Sequence, residues 1–155
     1  TIKENLLVAK PDATDEELML TLSEVNLNTF VNDLPEKLNA NIGELGKKLS
    51  GGESKRLTIA RALLKDSQII IFDEINSHVD NLTEKKILET ISKIKTDKSI
   101  LFITHRIVQM EIFDKIIVFS NGKIVESGTH KELLKLNSYY KKLVDFQNQK
   151  ITDTV

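Results

Sequence analysis

Between Ile69 and Thr104 two short apolar runs, IIIF and SILFIT, stand on either side of a segment in which Ile87, Leu88, Ile91 and Ile94 recur at helical spacing. A strand, a helix and a second strand in that order call for a crossover connection, which makes the strands parallel and covers the sheet with helices on both faces. IIIF lacks polar alternation, so it is expected to be a central strand buried on both sides. Just upstream, Leu57, Ala60, Leu63 and Leu64 mark one face of another helix. From Ser50 onward the chain therefore reads as α/β.

The flanks read differently. Pro11 and Asp12 form a turn; Thr14 with Glu17 then has the spacing of a capping box, and Leu18, Leu22 and Val25 continue one apolar face. A second short helix is expected to hold Leu27, Phe30 and Leu34 and to end at Pro35. NANIGELGKK, with Gly43 and Gly46 among polar residues, reads as a loop. Toward the carboxyl end, KIIVFSNGKIVESG signals a hairpin, because Asn121-Gly122 tolerates the positive φ angles of a two-residue turn. Thr129 with Glu132 repeats the capping box and makes His130 the first residue of a helix. Beyond about Gln147 the sequence is polar and is expected to fray.

Charge excludes one class of partner. The 155 residues carry 22 basic and 23 acidic side chains, a net charge of -1, so no bulk field gathers nucleic acid or anionic lipid. The pairs Lys47-Lys48, Lys85-Lys86 and Lys141-Lys142 are not interleaved with stacking aromatics and read as solvated faces; no nucleic-acid partner is expected. Cysteine is absent, which leaves neither a disulfide nor a thiolate metal site. The longest apolar runs, IIIF and IIVF, fall far short of the ~18 residues of a membrane span. The opening TIKENLLVAK reads as a segment already under way, as in a piece of a longer polypeptide.

The stretch LSGGE poses the sharpest chemical question. With Ser50 as N-cap, Glu53 falls at the third helical position, and SGGE is a capping box. That accounts for Ser50 and Glu53 but not for Gly51 and Gly52, each of which costs up to ~1 kcal/mol relative to alanine inside a helix. A helix N-terminus also presents unpaired N–H groups and positive dipole, and a missing Cβ lets a phosphate approach the backbone. From spacing alone both readings stand.

LSGGESKRLTIARALLKDSQIIIFDE resembles the signature motif, signature helix and Walker B strand of the ATP-binding cassette (ABC) ATPases. The order continues through NSHVD, similar to the D-loop, ITHR, similar to the H-loop, and the ending NGKIVESGTHKELL. The resemblance implies an α/β fold: a helical subdomain with the signature helix over residues 1–64, and the carboxyl-terminal half of a P-loop NTPase (RecA-like) parallel sheet over 65–148. A terminal β-hairpin and helices belong to that second part, and a flexible tail is expected over 149–155. It further implies ATP and Mg²⁺ as ligands, with Asp73 on the metal through water, Glu74 as general base for the attacking water, and His105 toward the γ-phosphate. Ser50, Gly51, Gly52 and Glu53 would face an ATP held by an opposing subunit, and Asp80 would reach across that interface. Ser77 matches the family too. Asn76 and His78 depart from the usual Thr and Ala of the D-loop region, and Glu53 replaces the more common Gln. NIGELG resembles the loop that touches the membrane domain in exporter-type members.

A phosphate loop needs a strand, then G-x-x-x-x-G-K-[ST], then a helix, and none of the six glycines supplies it. In the family each nucleotide is sandwiched between the phosphate loop of one subunit and the SGG helix of the other, so the two halves of a site belong to different surfaces. The resemblance thus implies the carboxyl-terminal part of an exporter ATPase subunit at the cytoplasmic face of the membrane. Its expected partners are a second nucleotide-binding domain, as homo- or heterodimer, and a transmembrane domain. The chain by itself is expected to hydrolyse no ATP and to hide an open sheet edge by self-association. A degenerate or soluble cassette that only completes a partner's ATP site is the alternative.

Overall fold

The structure, a computed structural model, describes residues 1–77, 79–94 and 98–152; His78, singled out above, lies outside the described residues. The chain divides into two compact units, Thr1–Thr104 and His105–Val155.

In the first unit four helices precede the first strand: α1 (Ile2–Leu7), α2 (Asp15–Glu24), α3 (Asn28–Asp33) and α4 (Gly51–Leu64). The Thr14–Glu17 box forms as expected, Glu17 N donating to Thr14 Oγ1 at 3.3 Å and Thr14 N to Glu17 Oε2 at 3.0 Å. Thr1 and Glu4 cap α1 in the same way, an arrangement not anticipated from the sequence. Helices α1 and α2 pack against α4, and Ile2, Leu6, Leu18 and Leu22 on them are buried. Of the anticipated anchors, Leu27 at the N-cap of α3 is buried, whereas Phe30 and Leu34 are half-buried and Val31 takes the core position. A six-residue helix turns too few side chains inward for spacing to tell which of three neighbouring apolar positions faces the core. A 3₁₀ turn, Lys37–Asn39, leads into the NANIGELGKK segment, which is a loop with a second such turn at Glu44–Gly46. Gly43 takes φ +76°, and its N–H donates to Asn41 Oδ1 at 2.7 Å.

The expected parallel pair follows. Strand β1 (Ile69–Asp73) lies beside β2 (Ser99–Ile103), with Ile69 opposite Ser99 and Asp73 opposite Ile103, and α5 (Asn81–Ile94) makes the crossover. Burial of β1 on both sides is not observed. Ile70 and Phe72 are buried, but Ile69 and Ile71 are 66% and 61% exposed, and Leu101 and Ile103 on the same face of β2 are 50% and 46% exposed. Successive side chains of a strand point to opposite faces, and the described residues of this unit cover one face of the sheet. Nor is β1 central among the described residues, since it pairs with β2 alone.

The second unit begins at His105 and contains the hairpin β3 (Ile116–Ser120) and β4 (Lys123–Gly128), followed by α6 (His130–Lys135) and α7 (Tyr139–Thr152). The hairpin is antiparallel, and Asn121 and Gly122 at its tip take φ 50° and 72°, as the Asn-Gly pair demands. Met110, Val118, Leu133 and Tyr140 form its core. Glu126 of β4 accepts from the backbone N–H groups of Tyr139 and Tyr140, both at 2.8 Å, and so caps the first turn of α7. Helix α7 extends to Thr152. Gln147 ties it down: its Nε2 donates to His105 O and its Oε1 accepts from Ile107 N, each at 2.7 Å.

Candidate functional site

Helix α4 starts as the sequence requires. Ser50 is extended (φ -62°, ψ 160°); its Oγ accepts from Glu53 N at 3.3 Å, and Ser50 N donates to Glu53 Oε2 at 2.8 Å. Glu53 is thus committed to the cap. Gly51 is exposed at the first helical position. Gly52 has a neighbour that spacing could not reveal: a Cβ built on it would come within 2.6 Å of Thr83 Cγ2 and 3.1 Å of Thr83 Oγ1, on α5.

Thr83 is itself held. Its N–H donates to Asp80 Oδ1 at 2.9 Å and its hydroxyl to Asp80 Oδ2 at 2.6 Å, while Glu84 N donates to Asp80 O at 2.9 Å. Asp80 is therefore the N-cap of α5, with both carboxylate oxygens engaged inside its own chain. The Thr83 hydroxyl, and after it the Thr83 N–H, hold the Asp80 carboxyl below the usual aspartate range.

Asp73 ends β1 and is exposed, as is Glu74 after it. Ligands of open α/β sheets gather at this carboxyl edge. Glu74 adopts φ 48°, a left-handed conformation that costs about 1–2 kcal/mol for a residue with a Cβ. Backbone bonds on both sides hold it there: Glu74 N donates to Ile103 O at 2.9 Å, and Ser77 N donates to Glu74 O at 3.0 Å. The turn thus lifts the Glu74 side chain out of the strand's alternation.

Behind that turn lies a buried polar network. Asn76 and Glu84 are each 1% exposed, and Asn76 Nδ2 donates to Glu84 Oε1 at 2.7 Å. Thr104 Oγ1 donates to Asn76 Oδ1 at 3.0 Å. Asn76, the departure from the family pattern, thereby joins the loop after β1 to α5 and to the residue after β2. In such surroundings a polar group without its partner costs about 1–3 kcal/mol, so the network fixes the loop geometry under Glu74.

Thr83, Glu84 and Thr104 were not singled out from the sequence, although two signals existed. Thr83 lies three residues after Asp80, the spacing of a cap, and Glu84 falls on the helical face defined by Ile87, Leu88 and Ile91. Ser50, Gly51, Gly52, Glu53, Asp73, Glu74 and Asp80 all belong to the first unit, whereas His105 is the exposed first residue of the second. His130, the first residue of α6, lies with Nδ1 2.8 Å from Tyr140 OH.

For a Mg²⁺ ion the donor chemistry is suitable but sparse. Asp73 and Glu74 offer hard carboxylate oxygens at an exposed strand end, and among the described residues no group of three or more His, Cys, Asp or Glu is placed to hold a metal. Hard carboxylate oxygens are the donor type that Mg²⁺ takes, alongside water and phosphate.

Known proteins resemble the chain over nearly its whole length. The model of the ABC transporter family matches residues 1–77. Two curated proteins of Staphylococcus aureus, strains NCTC 8325 / PS 47 and COL, both described as putative multidrug export ATP-binding/permease proteins, are 40% identical over 148 residues. Each match covers 96% of this chain and 26% of the relative. Among solved structures, a bacterial Atm1-family ABC exporter with ATP bound superposes with a TM-score of 0.86 at 32% identity, over 95% of this chain and 26% of that one. The chain belongs to the ABC transporter family, as part of an exporter-type nucleotide-binding domain. It spans about a quarter of the length of the curated relatives it matches.

Proposed function

We propose that this chain supplies the signature face and the catalytic carboxylate edge of an ATP-hydrolysing subunit in an ABC exporter. The observation that carries the reading is the end of β1, where exposed Asp73 and left-handed Glu74 stand over the buried Asn76–Glu84–Thr104 network. A carboxylate on such a rigid turn suits a general base: Glu74 would accept a hydrogen bond from the attacking water and orient it toward the γ-phosphorus, an effect worth about 10²- to 10⁴-fold in rate. Asp73 would hold Mg²⁺ through water, the ion offsetting the negative charge of the phosphates. His105 would approach the γ-phosphate.

Exposed Ser50 and Gly51 at the start of α4 support the complementary role. Ser50, Gly51 and the N–H groups beside them would meet the phosphates of an ATP carried by a second nucleotide-binding domain, with Asp80 at the same interface. Closure of the two domains around ATP, and reopening after hydrolysis, would then drive a transmembrane domain at the cytoplasmic face of the membrane. Among the described residues no helix is long and apolar enough to cross a membrane.

The test is ATP hydrolysis by the full-length subunit. Glu74→Gln should retain nucleotide binding and lose turnover by about 10² or more. Unchanged turnover in that variant would overturn the assignment, and binding without turnover in the unaltered protein would favour a degenerate cassette. The 155 residues alone should show no hydrolysis above background.

A further inference from the structure

Gly52 is explained inside its own chain at least as well as by an approaching phosphate. The position of its absent Cβ lies 2.6 Å from Thr83 Cγ2, a separation no real side chain tolerates. Thr83 is β-branched, so Cγ2 can move away only if the side chain turns about its first torsion. That same rotation carries Oγ1 out of its 2.6 Å bond to Asp80 Oδ2. With the two helix backbones in place, a side chain at position 52 therefore takes the hydroxyl partner from Asp80 Oδ2 and leaves the carboxylate held through Oδ1 alone.

We propose that Thr83 is a positioning residue which locks the start of the signature helix to Asp80 through its close contact with Gly52. The proposal rests on the reading above that Asp80 acts at the interface between two nucleotide-binding domains. Its consequence is mechanical: whatever displaces the first turn of α4 in one subunit is transmitted within that subunit to its own Asp80, and from there to the opposite ATP site. The two ends of one interface surface move as one piece because a methyl group fills the space that a Cβ would need. The second oxygen of Asp80, bonded to Thr83 N at 2.9 Å, keeps the carboxylate attached to α5 throughout.

The experiment uses the full-length subunit with its partner and Mg-ATP, comparing Thr83→Ser, Thr83→Val, Gly52→Ala and the double variant Gly52→Ala/Thr83→Ser. Thr83→Val keeps the methyl shape and loses the hydroxyl; turnover should fall by about tenfold or more with KM for ATP little changed, the mark of lost positioning. Thr83→Ser keeps the hydroxyl and should retain most of the activity. Gly52→Ala should be impaired in the Thr83 background and substantially rescued by Thr83→Ser, which deletes Cγ2. Full turnover in Thr83→Val, or equal impairment by Gly52→Ala in both backgrounds, would overturn the proposal.

A readout independent of hydrolysis keeps the two claims apart. In thermal unfolding, Gly52→Ala should lower Tm by several degrees with threonine at position 83 and by clearly less after Thr83→Ser; additive shifts would refute the contact. If Glu74→Gln abolishes turnover while the Thr83 variants behave as wild type, the positioning role fails and the ATPase reading stands. If the unaltered protein hydrolyses nothing, the ATPase reading fails, and with it the role assigned to Asp80.

Discussion

Replacing Asn76 by aspartate alters one contact at the centre of the buried network. The Nδ2 that donates to Glu84 Oε1 across 2.7 Å becomes an oxygen, while Thr104 Oγ1 still has its acceptor. Two carboxylates then face each other where both native side chains are 1% exposed. With charge centres about 4 Å apart and an effective dielectric of about 20, their repulsion is about 4 kcal/mol. A proton on the introduced carboxyl removes the repulsion and restores a donor toward Glu84. At about 1.36 kcal/mol per unit, the introduced group's folded pKa rises by about 3, from near 4 to near 7. Because the folded state holds that proton more tightly than the unfolded chain, stability relative to wild type is nearly whole below about pH 4. It falls as pH rises toward about 7, above which the full deficit persists. Urea unfolding followed by circular dichroism measures it as the product of slope and midpoint shift. The expected deficits are about 4 kcal/mol at pH 8 and about 1.4 kcal/mol at pH 5. Equal deficits at the two pH values, or none at pH 8, would refute the network as drawn.

Leu22→Ala on α2, fully buried against α4, should cost about 2–5 kcal/mol by the same assay, against no more than about 0.5 kcal/mol for Leu20→Ala on the exposed side of that helix. Glu126→Gln should loosen the start of α7, read as faster amide exchange at Tyr139 and Tyr140. Its carboxyl is held below the ordinary value of 4.5 by the Ser138 hydroxyl first, then by the N–H groups of Tyr140 and Tyr139. The stabilisation is therefore present above pH 4.5 and lost as pH falls through the lower folded value, so wild type and variant should converge in acid. The chain alone should self-associate through the apolar face bearing Ile69, Ile71, Leu101 and Ile103, and Ile71→Lys with Leu101→Lys should shift it toward monomer; a wild-type monomer in sedimentation would contradict this.

Much of this protein is written locally. The three anticipated capping boxes, at Thr14, Ser50 and Thr129, depend on residues three apart and form regardless of what lies beyond them. The Asn121-Gly122 hairpin follows from backbone sterics, and the parallel pairing of β1 and β2 from the strand–helix–strand order. The ordered motifs likewise made the family legible, because each is a short run. What needed tertiary structure were the relations between distant segments. Apolar composition could not tell which faces of IIIF and SILFIT would be covered, since burial depends on what packs against a strand rather than on the strand itself. The meeting of Gly52 with Thr83, 31 positions apart, and of Asn76 with Glu84 and Thr104 is likewise invisible to periodicity. Helix spacing shows which residues share a face; only the packed chain shows what that face touches.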